Sequence, residues 1–320
     1  MTLQEHAPAP AHGAEPAQHG AEAAAEGFNA GEVIIGHVSN SGLDHPLIHL
    51  PTIAGIDFSV TKHVLMLWLV AAFVFVVVTF TVRRYLRQDR RVPSGLMNAL
   101  EAVVEFVRDS IVLPNVGRKW VNTWAPLVLT FFVFILCANA IGLIPIFEVV
   151  GLIDHFVLHS PPDSFLKQVL HGGTTATANF NVTAALATVT FGAIIVAGTK
   201  AHGFIQHWKN LVPHGLAWPI YILLIPIEIM GMFVRPFALT MRLAANMTGG
   251  HIAILAILSF VFLFTEMFET ALAGIGVGMA VSIPLASGIM ALEIIVVLVQ
   301  AYVFTLLTAV FIGMAIHAHH

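Results

Sequence analysis

The sequence predicts an all-α integral membrane protein with about five membrane-embedded helices and one amphipathic interfacial helix, the last two spans long and tilted. Three observations carry this. Only 10% of residues are charged, against about 25% in an ordinary globular domain, while 58% are hydrophobic and the mean hydropathy is +0.87. Apolar runs near the roughly 20 residues a bilayer requires recur along the chain. Lysine and arginine collect in alternate connections, as they do in a multi-pass protein. The net charge of -4 and the lack of a basic cluster exclude a nucleic-acid partner, and the single Cys137 excludes a disulfide framework.

Residues 1–30 are rich in Ala, His, Pro and Glu, with neither the basic start nor the apolar core of a cleavable signal; they are expected to be a disordered tail. Residues 31–60 mix short apolar patches with Gly and Pro and are expected to form an outer-face lead-in to a membrane domain over 61–320. The first span covers about 62–82 and is followed by Arg83, Arg84, Arg87, Arg90 and Arg91. Acidic residues dominate before it, so the N-terminus is expected outside and the arginine loop in the cytoplasm. Over 95–113, Leu96, Leu100, Val103, Val107 and Ile111 recur at helical spacing, with Asn98, Glu101, Glu105, Arg108 and Asp109 on the other side. That helix is too polar to span, and lies on the membrane surface or docks on other helices.

A second span is expected at about 124–146, an acidic outer loop to 178, and a third span at about 181–199 followed by Lys200, His202, His207 and Lys209. From 218 to 264 the chain is apolar for about twice the length of one upright span. Two crossings or one tilted helix with kink points at Pro219, Pro226 and Pro236 are both open. A cytoplasmic C-terminus requires an odd number of crossings and favours one. TEMFETALAGIGVGMA is expected to turn on the outer side before a last helix at about 279–315. GIGVG lacks the strand-turn-helix setting of a nucleotide motif and suits close helix packing instead.

Arg242 is the last Lys or Arg in the chain and lies deep in the 218–264 run. An arginine at bilayer depth costs roughly 3 kcal/mol on insertion scales, and its guanidinium stays charged. Its own segment, PFALTMRLAANMTGGH, offers no carboxylate. Glu228, Arg235 and Arg242 recur at intervals of seven, nearly two helical turns, and Asn246 lies one turn beyond Arg242. Arg235 suits a snorkelling residue as well as a functional one, and Glu228 an interfacial anchor as well as a channel acid. Within the chain, the obvious counter-charge for Arg242 is Glu293, the single carboxylate of the last helix. A carboxyl in hydrocarbon pays desolvation for its charge, which makes it a reversible proton carrier. Gln300 follows it by seven, and His251 ends the Arg242 segment, where it is placed to meet Glu293.

MRLAANMTGGH, preceded by EIMGMFVRPFAL and followed by EIIVVLVQAYVFTLLTAVFIGMA, closely resembles subunit a of the rotary, F-type ATP synthase membrane sector. NAIGLIP and TATANFNVTAALA support the resemblance, which runs from the first span to the end. It implies a proton-channel stator in a bacterial inner membrane, with no catalytic site of its own and no cofactor. Its implied partners are a ring of subunit c, peripheral-stalk subunit b, membrane lipid and, indirectly, the soluble ATPase sector. Arg242 matches the ring-facing cation. Asn246, His251, Glu293 and Gln300 match the outer half-channel, and Glu228 the inner one. Some members carry an acid where this chain has His251 and a histidine where it has Glu293, so the pair is present with its helices exchanged. A secondary transporter using Arg242 and Glu293 for an anionic substrate and a proton is the competing reading. An intramembrane metalloenzyme would need ligands at helical spacing that the sequence lacks.

Overall fold

The computed structural model describes residues 59–87, 92–144, 175–209, 218–268 and 271–317, with eight isolated positions elsewhere (31, 34, 35, 48, 50, 51, 154 and 161). The N-terminal tail, nearly all of the lead-in, Arg90 and Arg91, and most of the long outer loop lie outside the described residues. Among those described, extended pairing is confined to one bridge, Ile48 with Val60.

Five helices are long and apolar enough to cross a membrane. The first, α1 (Lys62–Leu86), is followed by a composite helix: α2 (Leu96–Glu105), a π-helical segment (Phe106–Val112) and α3 (Leu113–Val116). The second span is α4 (Val121–Leu143). A 3-10 turn (Ala176–Ala178) leads into α5 (Phe180–His202), whose first amides are capped by the Asn179 side chain, and a short α6 (Phe204–Lys209) follows. The rest is α7 (Trp218–Leu258), α8 (Phe260–Met267) and α9 (Ala271–Ile316).

The amphipathic reading of 95–113 has a clear structural counterpart. Val107, Ile111, Val112 and Val116 are fully buried, whereas Glu101, Glu105, Arg108 and Asp109 stay exposed. The π-helical segment rotates the apolar stripe so that its second half docks on α4 and α9. Gly313 of α9 meets the Asn115 backbone so closely that an added Cβ would collide with it. His202 bonds the Ile316 carbonyl at 2.9 Å, which ties the end of α5 to the end of α9.

The choice between one and two crossings over 218–264 falls to one. α7 continues unbroken through Pro226 and Pro236, and Ser259 keeps helical angles before α8, so the chain does not reverse. At 1.5 Å per residue a helix of 41 residues is about 60 Å long, twice the hydrocarbon thickness, so it lies steeply tilted. The reversal comes at Phe268, where the backbone turns extended. The expected turn over TEMFETALAGIGVGMA is therefore shorter than the sequence suggests, and α9 begins at Ala271 instead of near 279. The glycines are helical and act in packing: side chains at Gly274 and Gly278 would strike the α8 backbone at Thr265 and Val261.

Candidate functional site

α7 buries one side and leaves the other bare. Met232, Leu239, Leu243 and Met247 enter the core, while Phe233, Phe237 and Met241 are exposed. Arg242 is exposed as well, and among the described residues it has neither an ion pair nor a hydrogen bond. The internal pairing with Glu293 that the sequence left open is not made. Arg235, two turns earlier, is half-buried with its guanidinium 5.7 Å from the Phe311 ring of α9. Its charge is held against an aromatic face. The two arginines of one register thus have different surroundings.

Glu293 is the reverse case. It is 3% exposed, and neither carboxyl oxygen has a hydrogen-bond partner. Its carboxyl lies against Gly250 of α7, where any Cβ would collide with Oε1. His251, the next residue, turns toward the start of the 3-10 turn before α5, and its Nε2 lies 2.7 Å from the Thr175 hydroxyl. The expected meeting of His251 and Glu293 therefore takes the form of adjacency through Gly250, with the imidazole hydrogen-bonded to Thr175. Asn246 and Gln300 are joined directly: the Asn246 amide donates to Gln300 Oε1 at 3.0 Å.

Four further residues complete a polar layer that sequence reasoning did not place in the site. Thr175 and Thr177 are buried, Thr177 donates to Asn139 Oδ1, and the Thr248 hydroxyl reaches the Ala178 carbonyl at 3.4 Å. Gly142 of α4 sits so near Thr175 that a Cβ there would overlap its side chain. The signal was present in the motifs NAIGLIP and TATANFNVTAALA, which carry Asn139, Gly142, Thr175 and Thr177. Their spacing does not reveal that one motif folds onto the other. α1 also packs on the Ala176–Ala178 turn, and its first residues, Lys62 and His63, are buried.

Glu228 stands apart. It is half-buried on α7, 14 residues before Arg242, or roughly 21 Å along the helix axis. The six candidates therefore separate into a cluster of Asn246, His251, Glu293 and Gln300, a bare Arg242, and a distant Glu228. Chemically, the cluster can relay protons through hydroxyl, imidazole and carboxyl groups beside a bonded pair of amides, and the bare arginine can hold an anion that approaches from outside the chain.

The family model described as ATP synthase A chain matches residues 64–313. A Chlorobium luteolum protein named ATP synthase subunit a 2 is 40% identical over 314 residues, 96% of this chain and 80% of the relative. One of the same name from Prosthecochloris aestuarii is 40% identical over 316 residues, covering 97% and 86%. A more distant relative, ATP synthase subunit a of an Anaeromyxobacter species, is 35% identical over 288 residues, covering 89% and 60%.

Proposed function

Because the chain belongs to the ATP synthase subunit a family, and is thus a multi-pass membrane protein of proton transport and ATP synthesis, we propose that it is the stator through which protons reach and leave a rotating ring. The observation that carries this reading is Arg242, a permanent cation on the open face of a tilted helix with no counter-charge among the described residues. Such a group has to be compensated, and a carboxylate borne by another subunit supplies the charge.

A proton enters from the outer side past His251, Glu293, Asn246 and Gln300 and neutralises a carboxylate of a ring of subunit c. The neutral carboxyl can then turn into lipid. Near the end of its circuit it meets the inner path at Glu228 and releases the proton. Arg242 attracts the deprotonated form and keeps protons from passing directly between the two paths. One charge crossing 100 mV supplies about 2.3 kcal/mol, so several protons per turn provide useful torque. Subunit b of the peripheral stalk holds the chain against rotation, and the soluble ATPase sector makes the ATP. The assembly resides in a bacterial inner membrane, with the N-terminus of this chain outside and its C-terminus in the cytoplasm.

The test is ATP-driven acidification of inverted vesicles carrying an Arg242→Ala complex assembled to wild-type level. Loss of acidification is the expected result, and retention overturns the reading. A transporter for an anionic substrate would instead show substrate-dependent flux from the purified chain alone, whereas the stator transports nothing without its ring.

A further inference from the structure

At the inner end of α1, a pocket of about 280 Å³ opens between that helix and the start of α2. That is room for several waters or for a phosphate headgroup. Its polar lining is Arg84, Thr81, Ser94 and the Tyr85 phenol, and its apolar lining is Phe80, Leu96 and Met97. None of the described lining residues is acidic.

Two of these polar groups are left without partners among the described residues. Arg84 has no ion pair or hydrogen bond among the described residues, and Thr81 is 8% exposed with its hydroxyl likewise unbonded. In a helix, a threonine hydroxyl ordinarily donates back to a carbonyl one turn earlier, as Thr130 and Thr188 do here. Thr81 keeps that donor for the pocket. α2 begins at the same place, with Gly95 at φ 58 and no side chain capping its first turn, so the positive end of a ten-residue helix adds to the guanidinium. The apolar lining explains which anion suits it. Phe80 and Leu96 are each 65% exposed, at the depth where a membrane-spanning helix leaves the hydrocarbon. A free phosphate gains nothing from such walls, whereas an acyl-bearing phosphate does.

We propose that this pocket is a binding site for an anionic phospholipid of the inner leaflet. Its phosphate is held by Arg84, Thr81, Ser94 and the start of α2, and its acyl chains lie along Phe80 and Leu96. The lipid fastens α2 to α1, two elements whose connection runs through the arginine-rich segment. This inference does not depend on the proton-path reading, since none of its residues belongs to that path.

The experiment uses the whole purified ATP synthase complex and a phosphatidylglycerol carrying a photoreactive group on its glycerol, with labelled peptides mapped by mass spectrometry. Labelling within residues 80–97 is expected. One arginine near a membrane surface is worth about a fivefold change in lipid occupancy, so Arg84→Gln should lower labelling by about that factor, with Arg84→Lys retaining most of it. Leu96→Trp, which fills the pocket and leaves the charge, should lower it too. Both variants should pump protons as the wild type does. Equal labelling by a phosphatidylcholine analogue, or unchanged labelling in both variants, overturns the proposal. So does full competition by millimolar inorganic phosphate, which would make the site one for soluble anions. Crosslinking of this segment to another subunit in place of lipid would show that protein fills the pocket, and overturns it as well.

Discussion

Arg242 and Glu293 lie on neighbouring helices, and neither has a hydrogen-bond or charge partner among the described residues, yet their surroundings are opposite. Arg242 stands on the open face of α7, whereas Glu293 is 3% exposed under Gly250. The difference follows from what each group can become. A guanidinium cannot shed its proton and, if enclosed, would require an anion enclosed with it; a carboxyl can carry its proton, become neutral and sit among apolar groups. The enclosed position is given to the group that can change charge, and the open one to the group that cannot.

The sharpest way to break this contrast is to alter the open cation. Arg242→Lys keeps the charge but loses the planar fork, and ATP-driven proton pumping should fall by about 100-fold, nearly as far as in Arg242→Ala. Pumping within a factor of two of wild type would mean that any positive charge suffices. Next is the lid over the enclosed acid. Gly250→Ala places a methyl against Glu293 Oε1, and displacing the carboxyl should cut pumping by about tenfold, with part of it recovered when Glu293→Asp shortens the opposing side chain. Equal pumping by Gly250→Ala and wild type would remove Glu293 from the path. A milder effect is expected from Thr175→Val, which takes away one hydrogen-bond partner of His251. Losing about 1 kcal/mol of hydrogen bonding should slow pumping roughly fivefold and leave assembly intact.

The smallest effect concerns a histidine outside the spans. His207 of α6 is 6% exposed, packs on Gly198 and has an unpartnered Nε2. Burial, and after it the neighbouring His202, hold its imidazole below the ordinary pKa. The unfolded chain therefore takes up this proton first as pH falls, so folded-state stability drops on acidification from about 6.5 downward and is complete above it. His207→Phe should flatten that acid limb. In melting of the complex at pH 5.5 against 7.5, the pH-dependent difference should shrink by about 2 °C, and no change would mean that another group titrates there.

Much of this was legible in the chain before any coordinates. The membrane class and the existence of each span follow from hydropathy, because a bilayer demands long apolar runs. Arg242 announces itself for the same reason. Asn246 and Gln300 were recognisable as candidates by helical spacing, though not as hydrogen-bonded partners. Other features were not legible. A helix can run through Pro226 and Pro236 because neighbouring helices support it locally, although each proline removes the amide that would bond the carbonyl four residues earlier. The glycines after Phe268 read as a turn and proved to be a packing surface, since their lack of side chains serves either purpose.

The sequence by itself determined that this chain lives in a membrane, that one cation sits deep within it, and which few polar residues accompany that cation. Those are statements about solvation, which depend on composition along a segment. Only the tertiary structure decided that Glu293 is covered, that His251 turns to Thr175 and that Arg242 keeps an open side. Whether a group is enclosed or bare depends on residues distant in sequence, here Gly142, Thr175 and Gly250, and no local pattern records which of them will arrive.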